Sequence, residues 1–182
     1  MKKLNLILVI FIVFIMVTSA IGFIYSPSEN NDLNENSFDY KGFQFGITTN
    51  NKFITDINGN QIIFDNDPRN LENINLPNFQ ITQEKVYLIF NPEEKDDSLQ
   101  YSISKIYYTL QIKGIRGVLA CSTEKDCPNE LPIKNCDSES FYFKKSNLTN
   151  LYKEDKCIVL EGDNINIDKY VDKINLLLMG IK

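Results

Sequence analysis

Hydrophobic positions follow three patterns along the chain, and the changes between them divide it into segments. From Leu4 to Tyr25 nearly every residue is Leu, Ile, Val, Phe or Met. Asn5, Thr18 and Ser19 are the clear polar exceptions, and no charge falls between Lys3 and Glu29. As a helix that stretch would reach roughly 33 Å, enough to cross a hydrocarbon core of about 30 Å. Lys2 and Lys3 keep the N-terminus cytoplasmic by the positive-inside rule and send the remainder outside. A cleaved signal peptide fits the same pattern, with Thr18-Ser19-Ala20 as its small-residue site. Because apolar residues continue through Ile21, Phe23 and Ile24, an uncleaved anchor over residues 1–25 is preferred. Either reading exports the rest of the chain, and the first makes a single-pass membrane protein. Ser26 to Asp39 is rich in Asn and Glu, lacks apolar periodicity and reads as a flexible stalk at 26–39.

One exported globular domain is expected over 40–182. Phe43, Phe45 and Ile47 alternate with polar or small residues, the period of two of a half-buried strand. Lys52 to Ile57 and Gln61 to Phe64 form a second and a third strand, joined through Asn58-Gly59, a pair suited to the positive φ angles of a tight hairpin turn. Lys85 to Phe90 is a nearly continuous apolar run, the pattern of a strand covered on both faces. Asp97 or Ser98 is placed to cap a helix in which Leu99, Ile103, Ile106 and Leu110 fall at helical spacing, and Gly114 to end it. With Ile115 to Cys121 as the next strand, the segment predicts a βαβ crossover with parallel strands. Ser140 to Lys144 and Lys156 to Leu160 read as two further strands. A final helix carries Ile167, Tyr170, Val171, Ile174, Leu177, Leu178 and Ile181 on one face, with Asp168, Lys169, Asp172, Lys173 and Asn175 opposite. The fold class is therefore α/β or α+β: a mixed sheet with an N-terminal β-hairpin, one βαβ crossover and a C-terminal amphipathic helix, stabilised by disulfides.

Charge and composition narrow the functional classes. The chain carries a net charge of −5. Of its 19 basic residues Lys2 and Lys3 precede the apolar run, so 17 basic residues face 24 acidic ones beyond it, a net charge of −7. An acidic exported domain lacks the electrostatic footprint of a nucleic-acid binder. There is no His, the side chain that most often transfers protons near neutral pH and most often binds metals. No cofactor motif is present. The four cysteines, Cys121, Cys127, Cys136 and Cys157, are an even number in an exported domain and imply two disulfides. A zinc site is the sharper alternative, but their spacings exceed the usual two to four residues within a ligand pair. Cys127 and Cys136 bracket a short Pro-containing loop, while Cys121 and Cys157 lie at strand ends, so the preferred pairing is Cys127–Cys136 with Cys121–Cys157.

Candidate chemistry is sparse. Asp65, Asn66 and Asp67 follow a strand, and Glu93, Glu94, Asp96 and Asp97 precede the first helix. Carboxylates outside strand ends are where α/β sheets often bind ligands, so Asp65, Asp67, Glu93 and Asp96 form a weak candidate cation site. They lack the ligand spacing and central Gly of a calcium loop, and acidic residues also favour a helix N-terminus through its dipole. Ser98, Ser102 and Ser122 have no nucleophile-elbow context, which leaves only Lys105 or Lys125 to activate them. Asn147-Leu148-Thr149 is the one glycosylation sequon. Tyr101 and Tyr108, seven residues apart on a predicted helix, would form an exposed aromatic patch suited to a protein interface.

Tyr40-Lys41-Gly42-Phe43, Val86 to Pro92, Leu131-Pro132-Ile133 leading to Cys136, Cys157 to Gly162, and Leu177 to Ile181 give the exported part a likeness beyond its composition. In these features it resembles an uncharacterised family of small membrane-anchored proteins from small-genome archaea. The resemblance implies a shared fold and disulfide pattern and no chemistry. The sequence thus points to a non-enzymatic envelope component that contacts the membrane through residues 4–25 and binds an envelope protein or a surface polymer. An exported hydrolase using carboxylate or Ser/Lys chemistry is the alternative. A pilin-like assembling subunit is a third reading, although such proteins place a small residue such as Gly before the apolar run, where this chain has Lys3.

Overall fold

The computed structural model describes residues 37–182. The expected anchor, the cleavage site at Thr18-Ser19-Ala20 and the stalk as far as residue 36 lie outside the described residues. Among the described residues no helix is long and apolar enough to cross a membrane.

Four short strands open the domain: β1 (Ser37–Tyr40), β2 (Phe43–Ile47), β3 (Phe53–Ile57) and β4 (Asn60–Phe64). They form an antiparallel meander in chain order. The β3–β4 turn is the expected Asn58-Gly59, with φ of 54° and 81°, and the Asp56 carboxylate accepts the Gly59 N–H at 2.8 Å. β1 begins three residues inside the expected stalk. Its Ser-Phe-Asp-Tyr alternation is only four residues long and sits in an Asn-rich context, too short a pattern to separate from a linker.

The second sheet is mixed. Strands β5 (Lys85–Phe90), β6 (Arg116–Cys121), β7 (Ser140–Lys145), β8 (Asn150–Glu154) and β9 (Cys157–Gly162) lie in the order β6-β5-β7-β9-β8. All pairs are parallel except β8 with β9. Helix α1 (Asp97–Ile112) connects β5 to its parallel neighbour β6, and helix α2 (Asn164–Leu178) follows β9. The predicted βαβ unit and C-terminal helix are both present, and the fold is mixed α/β. β8 was not expected, because Asn150-Leu151-Tyr152-Lys153-Glu154 is mostly polar, a composition normal for an edge strand.

Two cores meet at α2. Val86, Leu88, Phe141, Phe143, Ile158 and Leu160 of the mixed sheet pack against Ile103, Ile106 and Leu110 of α1 and Ile167, Val171 and Ile174 of α2. Tyr40, Phe45, Ile62 and Phe64 of the meander pack with Leu176, Met179 and Ile181 at the end of the chain. The expected division of α2 into one apolar and one polar face therefore fails, since Asp172 and Asn175 are as buried as the aliphatic residues. A helix covered on two sides has little solvent face, and its polar residues must find partners inside.

The disulfides join Cys121 to Cys127 and Cys136 to Cys157, with Cα separations of 6.0 and 5.0 Å. This corrects the preferred pairing. Cys121 is on β6 and Cys157 on β9, with β5 and β7 between them, so about 14 Å of sheet separates the two strands. A disulfide spans roughly 7 Å between Cα atoms at most. Instead, the loop after β6 folds back beside Cys121, which donates to the Pro132 carbonyl and accepts from the Lys134 N–H. Further on it places Cys136 against the first residue of β9.

Cleavage after Arg116, Lys125, Lys134, Lys144 and Lys156 puts each cysteine on its own tryptic peptide. Mass spectrometry without reduction is expected to find the Cys121 peptide joined to the Cys127 peptide and the Cys136 peptide joined to the Cys157 peptide. Replacing each pair by Ala should cost about 2 kcal/mol for the short loop and about 3 kcal/mol for the longer one in urea unfolding.

Candidate functional site

The most organised polar constellation is a single ammonium held by three carboxylates. Lys105 projects from α1, Asp168 and Asp172 from successive turns of α2, and Asp65 from the chain just after β4. Lys105 Nζ lies 2.6 Å from Asp65 Oδ2, 2.9 Å from Asp168 Oδ1 and 2.5 Å from Asp172 Oδ1. It donates hydrogen bonds to Asp65 and Asp168, while its contact with Asp172 Oδ1 is an ion pair without a directed hydrogen bond. The other Asp172 oxygen accepts the backbone N–H groups of Asp65 at 3.0 Å and Asn66 at 2.9 Å, and the Asn66 amide at 2.8 Å. Lys52, from the meander, closes the outer side through Asp65 Oδ1 at 2.6 Å and the Tyr101 hydroxyl at 3.1 Å.

Burial and charge oppose each other in this cluster. Burial alone would lower the Lys105 pKa, but the charges of Asp172 and Asp168 outweigh it and raise the value above its ordinary range. Burial likewise pushes Asp65 up, and Lys105 and Lys52 reverse that to a net lowering. Asp172 is fully buried, and there burial prevails: its carboxyl is pushed up to about 6 despite Lys105, with Asp168 adding to the rise. The two directions describe one balance. Three carboxylates face two ammonium groups, so Lys105 keeps its proton and the least hydrated carboxyl is the one that takes up another.

The three carboxylates bring oxygen atoms within 4.8 Å of one another, close enough to hold a metal ion. The Lys105 ammonium occupies the point where all three converge. A lysine kept protonated also cannot serve as a general base. Ser102 lies one turn before it, but its hydroxyl is buried and reaches only Asp168 Oδ1 at 3.4 Å. Lys125, the other candidate activator, is exposed and pairs with Glu93.

The four carboxylates expected to form a cation site are not brought together as one. Asp65 belongs to the lysine cluster. Asp67 caps the short 3-10 helix Pro68–Leu71 and binds the Arg69 guanidinium. Glu93 pairs with Lys125, and Asp96 is the N-cap of α1, accepting from Ser98 N at 2.9 Å and Leu99 N at 3.3 Å. Lys145 at the end of β7 and Asn164 at the start of α2 also donate to Asp96, and together with its capping bonds they hold its carboxyl far below the usual carboxylate range. Asp163 caps α2 in turn through Asn166 N. Both helix N-termini at the carboxyl ends of the parallel strands are therefore filled by the chain's own side chains. Asn147 sits on the exposed turn between β7 and β8. Tyr101, Tyr107 and Tyr108 are all exposed on the outside of α1, in keeping with the expected aromatic patch.

The sequence pattern did not disclose the groove beside that patch. It has a volume of about 460 Å³ and runs between the first half of α1 and the ends of β5 and β6, lined mainly by Phe90, Pro92, Leu99, Ile103, Tyr107 and Leu119. Leu119 is 38% exposed although it lies in the middle of a strand. The run of apolar residues in β6 was legible, but which sheet edge β6 would occupy was not.

Lys105→Met should leave the carboxylates without their cation and cost about 3–5 kcal/mol of stability in urea unfolding. Because the Asp172 carboxyl is pushed up, the folded chain takes up a proton at higher pH than the unfolded chain does. Lys105 holds that value down, so in the variant the uptake moves above about 6, and the penalty is expected to be largest at alkaline pH and to shrink as pH falls towards about 6. No protein-family model, curated protein or solved structure matches this chain.

Proposed function

We propose that this chain is a membrane-tethered exported domain whose work is to bind a protein partner, with the apolar groove beside α1 as its docking surface. The groove is the observation that carries the reading. It combines exposed Leu119 and Tyr107 with deeper apolar walls, and it opens at the carboxyl ends of β5 and β6, where α/β sheets most often receive ligands. Tyr101 and Tyr108 are exposed on another side of α1, with the Tyr101 hydroxyl on Lys52, so the groove and not those two residues carries the reading. The buried ionisable groups, by contrast, are engaged with one another, which supports a fastening role for them and a non-enzymatic role for the domain. The apolar segment 4–25 supports tethering, and the disulfides suit an oxidising compartment.

Chemical crosslinking of the tagged full-length protein in its native membrane, followed by mass spectrometry, tests this reading. One reproducible envelope protein is expected, and Leu119→Asp should deplete it at a cost of about 1 kcal/mol in stability, since Leu119 is only partly exposed in the middle of β6. Recovery of the chain with background proteins alone would sink the proposal.

A further inference from the structure

The two edges of the mixed sheet are built differently. β8, at one edge, carries Lys153 and Glu154 and ends in a tight turn to β9, the charged and short form that discourages further pairing. β6, at the other edge, opens with Arg116 and carries no further charge through Gly117-Val118-Leu119-Ala120-Cys121. Its pairing with β5 uses alternate residues. Arg116 N donates to the Glu84 carbonyl at 2.7 Å and Ser122 N to the Phe90 carbonyl at 2.9 Å, so the even-numbered residues face β5. The odd-numbered residues present their N–H and C=O groups outward. At Cys121 this outward pair is already used by a short parallel stretch of the chain itself, through Pro132 O at 3.0 Å and Lys134 N at 2.9 Å. Among the described residues, the outward groups of Gly117 and Leu119 have no partner.

The open edge borders the groove. Gly117 allows the Tyr107 ring to lie close over the strand, since a Cβ there would come within 2.8 Å of it. Leu119 is itself a wall of the groove. Unpaired backbone groups at strand spacing call for another backbone, and the groove beside them calls for an apolar side chain. Resting on the binding role proposed above, we infer that an extended segment of the partner protein adds as a further strand along β6, pairs with Gly117 and Leu119, and places an apolar side chain in the groove beneath Tyr107. Affinity then comes from the main-chain bonds and selectivity from the alternate side chains.

The test uses the full-length protein in its native membrane with a photo-crosslinking benzophenone side chain in place of Tyr107. A single partner adduct is expected. Leu119→Pro removes one outward N–H at an edge position where proline is tolerated, and should reduce the adduct about tenfold or more, whereas Leu119→Val should keep it. Amide exchange of the wild-type chain provides a readout that needs no variant. In the purified complex Gly117 and Leu119 should slow at least about tenfold relative to the free chain, while Val118 and Ala120, already paired to β5, stay unchanged. An adduct that survives Leu119→Pro, unaltered exchange at Gly117 and Leu119, or an adduct between two copies of this chain would each overturn the strand-addition inference. Should chemical crosslinking capture a partner while the side chain at position 107 captures none, this inference fails and the binding role stands. If neither captures one, both fail.

Discussion

Lys105 is the point at which three separately built parts of the fold are held together. Apolar contact between the meander and α2 is favourable but has no direction, and by itself would allow the meander to settle in several rotations. Asp172 supplies the direction, because it binds the backbone N–H groups of Asp65 and Asn66 where the chain leaves β4. That arrangement carries a cost of its own, since Asp172 is fully buried and Asp168 and Asp65 stand beside it. Only a cation delivered from α1 makes it tolerable, so the placement of the meander depends on a lysine distant in sequence, in the middle of the βαβ unit. A buried ion pair is a poor way to gain net stability. Its stronger effect here is on which arrangement of the layers is the stable one.

This dependence explains what could and could not be read from the sequence. Elements specified by local chemistry were legible: the Asn58-Gly59 hairpin, the apolar strand from Lys85 to Phe90, the helix between Asp97 and Gly114, and the parallel pairing of the strands on either side of it. Strands whose identity depends on their neighbours were not. β8 is a strand because β9 pairs with it, and β1 because β2 does. Asp168 and Asp172 were the most misleading residues. At positions i and i+4, beside Lys169 and Lys173, they have the appearance of a solvated helix face. Their real environment is set by α1 and by the chain after β4, neither of which local periodicity can place against them.

The cysteines fail in a related way. Both Cys121 and Cys157 do end strands, as expected, and strands consecutive along the chain are often neighbours in space. Here β6 was placed on the far side of β5 and β9 on the far side of β7, so the strand ends that carry these two cysteines belong to opposite halves of the sheet. The loop after β6 then serves as the link. It returns to Cys121 through Cys127 and reaches β9 through Cys136, covering the face formed by Tyr87, Ile89, Ala120 and Val159 that no helix protects.

Covering that face has a consequence for the edge of the sheet. The loop needs to fasten only the last residue of β6, and it does so with a disulfide and with two backbone bonds at Cys121. Gly117 and Leu119 are left outside its reach, and the Tyr107 ring fits closely on Gly117 beside the groove that Leu119 lines. An edge whose one charge is Arg116 at its start, with free backbone groups beyond it, invites unwanted pairing, and β8 carries the ordinary protection at the other edge. Two edges of one sheet therefore differ in a property that folding alone does not require. The disulfide and the two backbone bonds at Cys121 close only the end of β6, so along Gly117 and Leu119 an added strand would find outward backbone groups already in place.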